Sequence, residues 1–309
     1  MFKKAIIAVA MAAVTGSAMA DVTVGGKVEQ QQRKNEAGEW RGWSDVRLTV
    51  SGSEDLGNGM SGFFKFQEEI GLRSGAGAQQ YDQLVGLKSG AGTLIMGKVE
   101  DFTESKVMSM TDKTMGANGV EIGANLGRNE GAIAYVSPSF SGLTVGVAGY
   151  ALSASGGDQD AFDAVDLGLM YSNGPLSVNV AFENDKRAAT AATAATAAFD
   201  SGDSTSIGAS YAAGDLTVAA TQQMTSYDTA GKADEDDTSI AVTYNMGNNK
   251  VVVGWNDNET SAGATVTDTN SNVIELQHSF SKTTAAYVQF YNTDVAAGDT
   301  TSFGLQHSF

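Results

Sequence analysis

Apolar and polar residues alternate along most of this chain, in about sixteen segments of roughly ten residues each. The clearest apolar faces are Val165/Leu167/Leu169/Tyr171, Leu176/Val178/Val180/Phe182 and Ile274/Leu276/His278/Phe280. Side chains of a strand point alternately to its two faces, so each segment predicts a strand with one apolar and one polar face. Tilted strands of about ten residues cross the apolar layer of a membrane, and a closed sheet leaves no unpaired edge. The alternation therefore predicts an all-β fold, a closed antiparallel transmembrane β-barrel of about sixteen strands.

The connections between these segments alternate in length, as they do in membrane barrels. Short turns rich in Gly, Asn, Asp and Ser occupy 54–59, 89–92, 137–142, 172–175, 212–215, 246–249 and 281–283. Longer polar stretches between them include 100–127, 184–203, 227–237 and 258–270. An even number of strands places both ends at one rim, so we expect the last strand to close onto Val22 to Val28. About sixteen strands would enclose an aqueous channel, whereas about eight would be filled by side chains.

The first twenty residues have the pattern of a cleaved secretory signal. Lys3 and Lys4 form a positive segment, a short apolar run follows from Ala5 to Val14, and Ala18-Met19-Ala20 supplies a small-x-small cleavage pattern. A membrane-anchoring helix would need about 20 apolar residues, and this run is too short. We therefore expect cleavage between Ala20 and Asp21, export through the periplasm, and a single barrel domain over 21–309.

The stretch 301–309 predicts a strand with an aromatic and aliphatic outer face, formed by Phe303, Leu305, His307 and Phe309. A soluble edge strand could alternate in the same way, but its terminus would usually be polar and frayed. A terminal strand that ends in Phe resembles the C-terminal strand of bacterial outer-membrane barrels. This resemblance implies recognition by the outer-membrane assembly machinery. We assign the four residues to barrel closure and assembly.

Composition and motifs exclude several other classes of protein. The chain has no cysteine, which excludes disulfides and thiol chemistry, and its formal charge of −17 argues against nucleic acid as a partner. No stretch after residue 20 is long and apolar enough for a spanning helix. A hydrolase would have to pair His278 or His307 with the serine that follows it, but neighbouring residues of a strand point to opposite faces. With no phosphate loop and no metal-ligand cluster, we expect no enzymatic activity, no cofactor and no metal.

Three stretches resemble the Gram-negative general porins, which are trimeric outer-membrane barrels of about sixteen strands. They are Arg47-Leu-Thr-Val-Ser-Gly-Ser-Glu-Asp-Leu-Gly-Asn-Gly59, Val85-Gly-Leu-Lys-Ser-Gly-Ala-Gly-Thr93 and Tyr135-Val-Ser-Pro-Ser-Phe-Ser-Gly142. The resemblance covers 21–309 and implies a homotrimer in the outer membrane, in contact with lipid and lipopolysaccharide, with its third loop folded into the lumen. The function it implies is a water-filled channel for passive diffusion of ions and small hydrophilic solutes. A substrate-preferring porin channel and a plugged structural or adhesive barrel stay open as alternatives.

The connection 100–127 is the longest in the N-terminal half, and the resemblance implies that it is the constriction loop. Its length also favours a functional role over an ordinary surface loop. The acidic residues on it are expected to line the narrowest part of the pore. They are Glu100, Asp101, Glu104, Asp112 and Glu121.

A basic wall is expected opposite this loop. Arg47 lies between the outward residues Val46 and Leu48, so it points into the lumen, and it matches the wall arginine of the family. Opposed charges would create a transverse field that orients water and disfavours apolar solutes. The alternative interpretation is that these residues are solvated charges of the lumen with no special arrangement. The expected wall residues are Lys27, Arg47, Lys65, Lys88 and Lys98.

Two departures from the family, together with the overall acidity, favour a weak preference for cations. The loop lacks the Pro-Glu-Phe-Gly-Gly sequence of enterobacterial porins. The fourth segment begins Gln80-Tyr-Asp82, where the family often has a basic residue.

Three smaller groups of residues remain, one acidic and two aromatic. The run Asp234–Asp237 could hold Ca²⁺ or bridge lipopolysaccharide, but it lacks the spacing of a calcium loop, so we expect a solvated outer loop. One membrane interface is expected to carry the histidines with aromatic residues, namely His278, Phe280, Phe303, His307 and Phe309. The opposite interface, near the outer rim, is expected to carry Trp40, Trp43 and Tyr81.

Overall fold

A computed structural model describes residues 21–71, 78–116, 118–123, 126–151, 162–186, 202–228, 232–262 and 265–309. The expected signal segment, 1–20, lies outside the described residues. The first eight strands are β1 (Asp21–Asn35), β2 (Trp40–Gly57), β3 (Met60–Gly71), β4 (Ala78–Ser89), β5 (Gly92–Glu100), β6 (Arg128–Val136), β7 (Leu143–Tyr150) and β8 (Ala164–Asn173). The last eight are β9 (Leu176–Asp185), β10 (Gly202–Ala213), β11 (Leu216–Tyr227), β12 (Asp234–Met246), β13 (Asn249–Ala262), β14 (Thr265–Ser279), β15 (Thr284–Thr293) and β16 (Thr300–Ser308).

The sixteen strands form one closed antiparallel barrel in which each strand pairs with the next along the chain and β1 pairs with β16. Closure removes the unpaired edges that a membrane would leave without hydrogen-bond partners. This confirms the predicted fold class and strand number. No helix in the described ranges is both long and apolar enough to cross a membrane.

The closing pair of strands has a different register from the one expected. β16 pairs with Lys27–Asn35, which overlaps the expected range Val22–Val28 only at Lys27 and Val28, and the first five residues of β1 pair only with β2. The last residue extends this pairing by one position, because the N–H groups of Phe309 and Gly26 each donate a hydrogen bond to the other's carbonyl at 3.0 Å. The offset follows from the stagger that tilted strands need to close a barrel, which alternation alone does not define.

Alternation along the strands gives the barrel an apolar exterior and a polar interior. On β14, Ile274 and Leu276 are 55% and 45% exposed on the outside, whereas Glu275 between them is fully buried on the inside. Val165, Asp166 and Leu167 on β8 repeat the pattern, with only the aspartate buried. The outward faces predicted from the period of two are therefore confirmed.

The connections differ from the expected pattern in two places. Strands β13 and β14 extend through most of 258–270, so the connection there is short. The run Asp234–Asp237 lies inside β12 rather than in a solvated loop, and Asp237 is only 3% exposed. Polar strand segments have a loop-like composition, which explains both differences from the expected pattern.

The expected aromatic girdles are partly wrong. The ring centroids of Phe303 and Trp40 are 5.8 Å apart in an edge contact. Phe303 therefore lies at the membrane interface of Trp40, and not at that of Phe309, which is six residues further along the chain. Trp43 lies beneath the guanidinium of Arg33, and Tyr81 is inside the lumen. His278 does pack edge-to-face against Phe280, with centroids 4.8 Å apart.

The hydrophobic core lies inside the barrel, where the connection between β5 and β6 packs against the wall. This third loop contains a π-helical turn (Thr103–Val107) and a 3-10 turn (Met108–Met110), and its buried side chains include Phe102, Val107 and Ile122. The wall beneath is built from small residues, among them Ala132, Ala148, Ala164 and Ala181. Because small residues leave room beside the wall, the loop folds inward, as predicted.

Candidate functional site

The two ends of the third loop are clamped to each other and to the wall by buried carboxylates. Asp101 is fully buried, and its carboxylate accepts hydrogen bonds from the N–H of Glu104 at 2.6 Å and from the N–H of Gly127. The N–H of Phe102 donates to Asp166 on β8 at 2.6 Å. Burial raises the pKa of the Asp101 carboxyl well above its usual range. Asp101 was expected in the constriction, but the structure places it in this clamp.

The far part of the loop is attached to the opposite wall. The N–H groups of Met115 and Gly116 donate to the two carboxylate oxygens of Glu275 at 2.7 and 2.9 Å. The N–H of Gly123 donates to Asp237 on β12 at 3.1 Å. Backbone N–H groups that would otherwise be unpaired inside the barrel thus receive charged acceptors.

The loop leaves open a cavity of about 740 Å³ between itself and strands β2 to β6. Carboxylates on its loop side belong to Glu100, Glu104, Asp112 and Glu121, and the basic residues on its wall side are Arg47, Lys65 and Arg128. The structure therefore brings four of the five expected loop acids together with two of the five expected wall residues. We call this cavity, with its charged lining, the constriction cavity.

All three basic residues of the constriction cavity are engaged in ion pairs. Nε of Arg47 donates to Glu69 at 2.9 Å, and Nζ of Lys65 donates to Asp82 at 2.7 Å. The guanidinium of Arg128 donates to Glu104 at 2.8 Å and to Glu100, and its Nε lies 3.5 Å from Asp82. The wall is therefore a mixed array of charges in which acids neutralise each cation.

The ring of Tyr81 organises this array. The guanidinium carbons of Arg47 and Arg128 lie 4.1 and 4.4 Å from its centroid, so one tyrosine contacts both arginines through cation–π interactions. Tyr81 was expected at the membrane interface; it points inward beside the register shift between Phe66 and Glu68, where β3 pairs with β4.

Two loop carboxylates, Asp112 and Glu121, form no ion pair with any described residue. Partial desolvation inside the barrel, followed by the charge of Asp112, raises the pKa of Glu121 to about 7. Burial and then the neighbouring Glu100 raise the pKa of Glu104 to about 7, although Arg128 opposes the shift. Two of the loop acids therefore titrate close to neutral pH.

The other expected wall residues lie outside the constriction cavity. Nζ of Lys27 lies 3.2 Å from Glu29 on the same strand, and neither Lys88 nor Lys98 lines the cavity. Lys98 occupies the irregularity between Gly97 and Val99 on β5, which breaks the alternation used to orient it. Arg128 was missed, although its position directly after the acidic loop is a signal that could have identified it.

The described part of the chain contains no group of three or more histidine, cysteine, aspartate or glutamate side chains that could hold a metal ion. What the lining offers is a water-accessible opening with fixed charges of both signs.

Comparison with known proteins agrees with this architecture. Residues 7–298 match the family model described as Gram-negative porin. An outer membrane porin protein of Bordetella pertussis is 29% identical over 161 residues, which cover 44% of this chain and 41% of that protein. The match thus spans less than half of the relative's length.

Solved structures with a similar fold include OmpF of Salmonella typhi in complex with daunomycin, with a TM-score of 0.77, 14% identity, and coverage of 93% of this chain and 97% of that chain. An anion-selective porin from Comamonas acidovorans has a TM-score of 0.73 at 20% identity, with coverage of 94% and 100%. OmpT of Vibrio cholerae, solved in its trimer form, has a TM-score of 0.73 at 15% identity, with coverage of 94% and 99%.

A closed sixteen-stranded barrel with an apolar exterior and an inward-folded loop defines an integral protein of the outer membrane. The structural matches show this fold, and the family model extends over nearly the whole chain. The chain therefore belongs to the Gram-negative porin family.

Proposed function

We propose that this porin forms a water-filled channel for the passive diffusion of ions and small hydrophilic solutes, with a weak preference for cations. The observation that carries the proposal is the constriction cavity, where an acidic loop crosses the lumen and faces a wall whose cations are all paired. Rings of fixed charge at a narrow point attract ions of the opposite sign and disfavour apolar solutes.

The sign of the preference follows from the charge balance of the lining. Five carboxylates, those of Asp82, Glu100, Glu104, Asp112 and Glu121, share the cavity with three basic residues. Asp112 and Glu121 add negative charge without an ion-pair partner. A unit charge about 10 Å from a permeating ion in water is worth about 0.4 kcal/mol, and screening by about 0.1 M salt reduces this to about 0.15 kcal/mol. Because cations gain and anions lose by this amount, each charge changes the cation-to-anion ratio roughly 1.7-fold. Two such carboxylates therefore support a preference of a few-fold.

The test is the reversal potential of single channels in a planar bilayer across a KCl gradient. At pH 8, where Glu121 is mostly ionised, we expect cations to move faster through the wild-type channel, and the double variant Asp112→Asn/Glu121→Gln to lower the cation-to-anion permeability ratio about threefold. Glu259→Gln is the matched control, because Glu259 is exposed on β13 and does not line the cavity. A wild-type reversal potential that shows faster anions would contradict the cation preference, and the absence of any open steps would favour a plugged barrel.

The assembly proposed for this channel is a homotrimer. Its support is the fold shared with OmpT of Vibrio cholerae, which was solved as a trimer. Light scattering of the detergent-solubilised protein should give about three times the mass of one chain, and a monomeric mass would contradict the proposal.

The terminal strand is proposed to direct insertion into the outer membrane, with its lipid and lipopolysaccharide, by the assembly machinery. Phe303, Leu305 and His307 pair along β1 with Gln32, Gln30 and Val28. The ring of Phe309 lies over Gly26, where an added Cβ would come within 2.8 Å of it. These contacts close the barrel, and the outward positions of the side chains leave them available to the machinery during assembly.

A further inference from the structure

A second cavity, of about 510 Å³, lies on another side of the third loop. It reaches the rim of the short turns, because it is lined by Gly142 of the turn before β7 and by Ser172 and Ser177, which flank the turn between β8 and β9. Its volume lies in the range typical of small-molecule sites. We call it the lysine cavity, after the two lysines described next.

The chemistry of the lysine cavity is the opposite of that in the constriction cavity. Its lining contains Lys106, Lys113, Asn179 and eight serine or threonine residues, and it contains no carboxylate. Hydroxyl groups both donate and accept hydrogen bonds, and lysine donates up to three with a full positive charge. A lining of this kind fits a solute that carries an anionic group and several hydroxyls.

The third loop separates the two cavities and presents a different charge to each. Ser105 and Ser109 line both. Glu104 and Asp112 face the constriction cavity, whereas Lys106 and Lys113 face the lysine cavity. A solute that passes the loop therefore moves from an acidic environment to a basic one within the length of this segment.

One hydrogen bond holds the backbone of Lys106, and another holds the ammonium group of Lys113. Neither forms an ion pair with a described residue. The carbonyl of Lys106 accepts a hydrogen bond from Asn179 at 2.7 Å, and Nζ of Lys113 donates to the carbonyl of Ser109. A third cation adjoins them, because Nζ of Lys250 lies 3.5 Å from the carbonyl of Lys113. Asp112 is the nearest acidic neighbour along the chain, but it lines the other cavity.

We propose that the lysine cavity is a binding subsite for small, hydroxyl-rich oxyanions such as sugar phosphates. The two lysines contact the anionic group, and the serine and threonine hydroxyls of the wall contact the sugar. The subsite rests on the proposed channel function, because the solute reaches it through the lumen. Its occupancy slows these solutes during passage, and the overall ion preference is still determined by the constriction cavity.

The test uses single channels in about 0.1 M KCl, where charges are screened over about 10 Å. Glucose 6-phosphate is added at increasing concentration to either side, and the concentration that blocks half the current is measured. We expect a saturable block by glucose 6-phosphate and little block by glucose at equal concentration. In the double variant Lys106→Gln/Lys113→Gln the half-blocking concentration should rise about tenfold, equivalent to about 1.4 kcal/mol.

Lys282→Gln is the matched control, since it removes the same charge from a short turn at the same rim and does not line the cavity. The control should leave the half-blocking concentration at the wild-type value. Equal block by glucose and glucose 6-phosphate, or an unchanged value in the double variant, would overturn the subsite. An open channel that glucose 6-phosphate does not block refutes the subsite alone, whereas silence in KCl refutes the channel itself. Circular dichroism of the double variant verifies that the barrel is folded.

Discussion

Glu275 holds the far part of the third loop, and removing its side chain should release that part from the wall. The carboxylate is fully buried and accepts four hydrogen bonds. Two come from the N–H groups of Met115 and Gly116, and two come from Gln277 and Gln289 at 2.6 and 2.8 Å. In Glu275→Ala all four donors lose this acceptor, and the two that belong to the loop no longer attach it to β14.

The size of the effect follows from the number of bonds. A hydrogen bond to a charged group contributes about 1.5–3 kcal/mol, so the two loop bonds together contribute about 3–6 kcal/mol. Water enters a polar lumen and hydrates some of the N–H groups that lose their acceptor. The expected loss is therefore close to the lower limit of about 3 kcal/mol. A loss of about 3 kcal/mol raises the detached population of the loop roughly a hundredfold.

Amide hydrogen exchange of the peptide containing Met115 and Gly116 measures this population directly. We expect its protection to fall roughly a hundredfold in Glu275→Ala, while amides of β14 beyond the site stay protected, and the open-channel current should become noisier. Glu275→Gln retains one carbonyl acceptor without the charge and should give an intermediate loss. Glu259→Ala, an exposed acid on the neighbouring strand, is the control. Unchanged protection in Glu275→Ala would refute the reasoning that this carboxylate attaches the loop.

Two further predictions concern the loop. Because burial raises the pKa values of Glu104 and Glu121 to about 7, both carboxylates are mostly ionised at pH 8 and mostly protonated at pH 6. The cation-to-anion permeability ratio should therefore decrease as pH falls across this range, and the decrease should be smaller in Asp112→Asn/Glu121→Gln. A ratio that does not change with pH would contradict the role of these two carboxylates. An added Cβ at Gly146 would lie 2.2 Å from the ring of Phe102, so Gly146→Ala should destabilise the protein by about 1–3 kcal/mol, measured by thermal unfolding. The control is Gly90→Ala, because an added Cβ at Gly90 would meet open space. Equal unfolding temperatures of the two variants would contradict this account.

The barrel could be predicted from sequence because its determinants are local. Side-chain direction alternates at every residue of a strand, so Val165, Asp166 and Leu167 report which face is outside without any knowledge of their partners. Turn residues mark the short connections in the same way; Asn58, for example, has φ of 53° in the first short turn. The register between β1 and β16 could not be predicted, because it depends on the stagger of the whole barrel.

The site could be predicted only in part because its contacts join residues far apart in sequence. The alternation predicts that Glu275 points into the barrel. Its hydrogen bond from the N–H of Met115, however, depends on the path of the loop through the lumen. The same holds for Asp101, which is indistinguishable in sequence from the acids that face the cavity and yet closes the loop onto itself. Lys98 shows a second cause of failure, since a register shift beside it interrupts the period of two.

The path of one loop, rather than the barrel around it, therefore determines what the lumen offers to a solute. A porin of the same fold from Comamonas acidovorans is anion-selective at 20% identity, so this architecture does not specify the sign of selectivity. In the present chain Asp112 and Lys113 are adjacent in sequence, yet they line different cavities. Glu104 and Lys106, which belong to the π-helical turn, are divided between the two cavities in the same way. A loop of this kind can combine an acidic constriction with a basic subsite in one lumen.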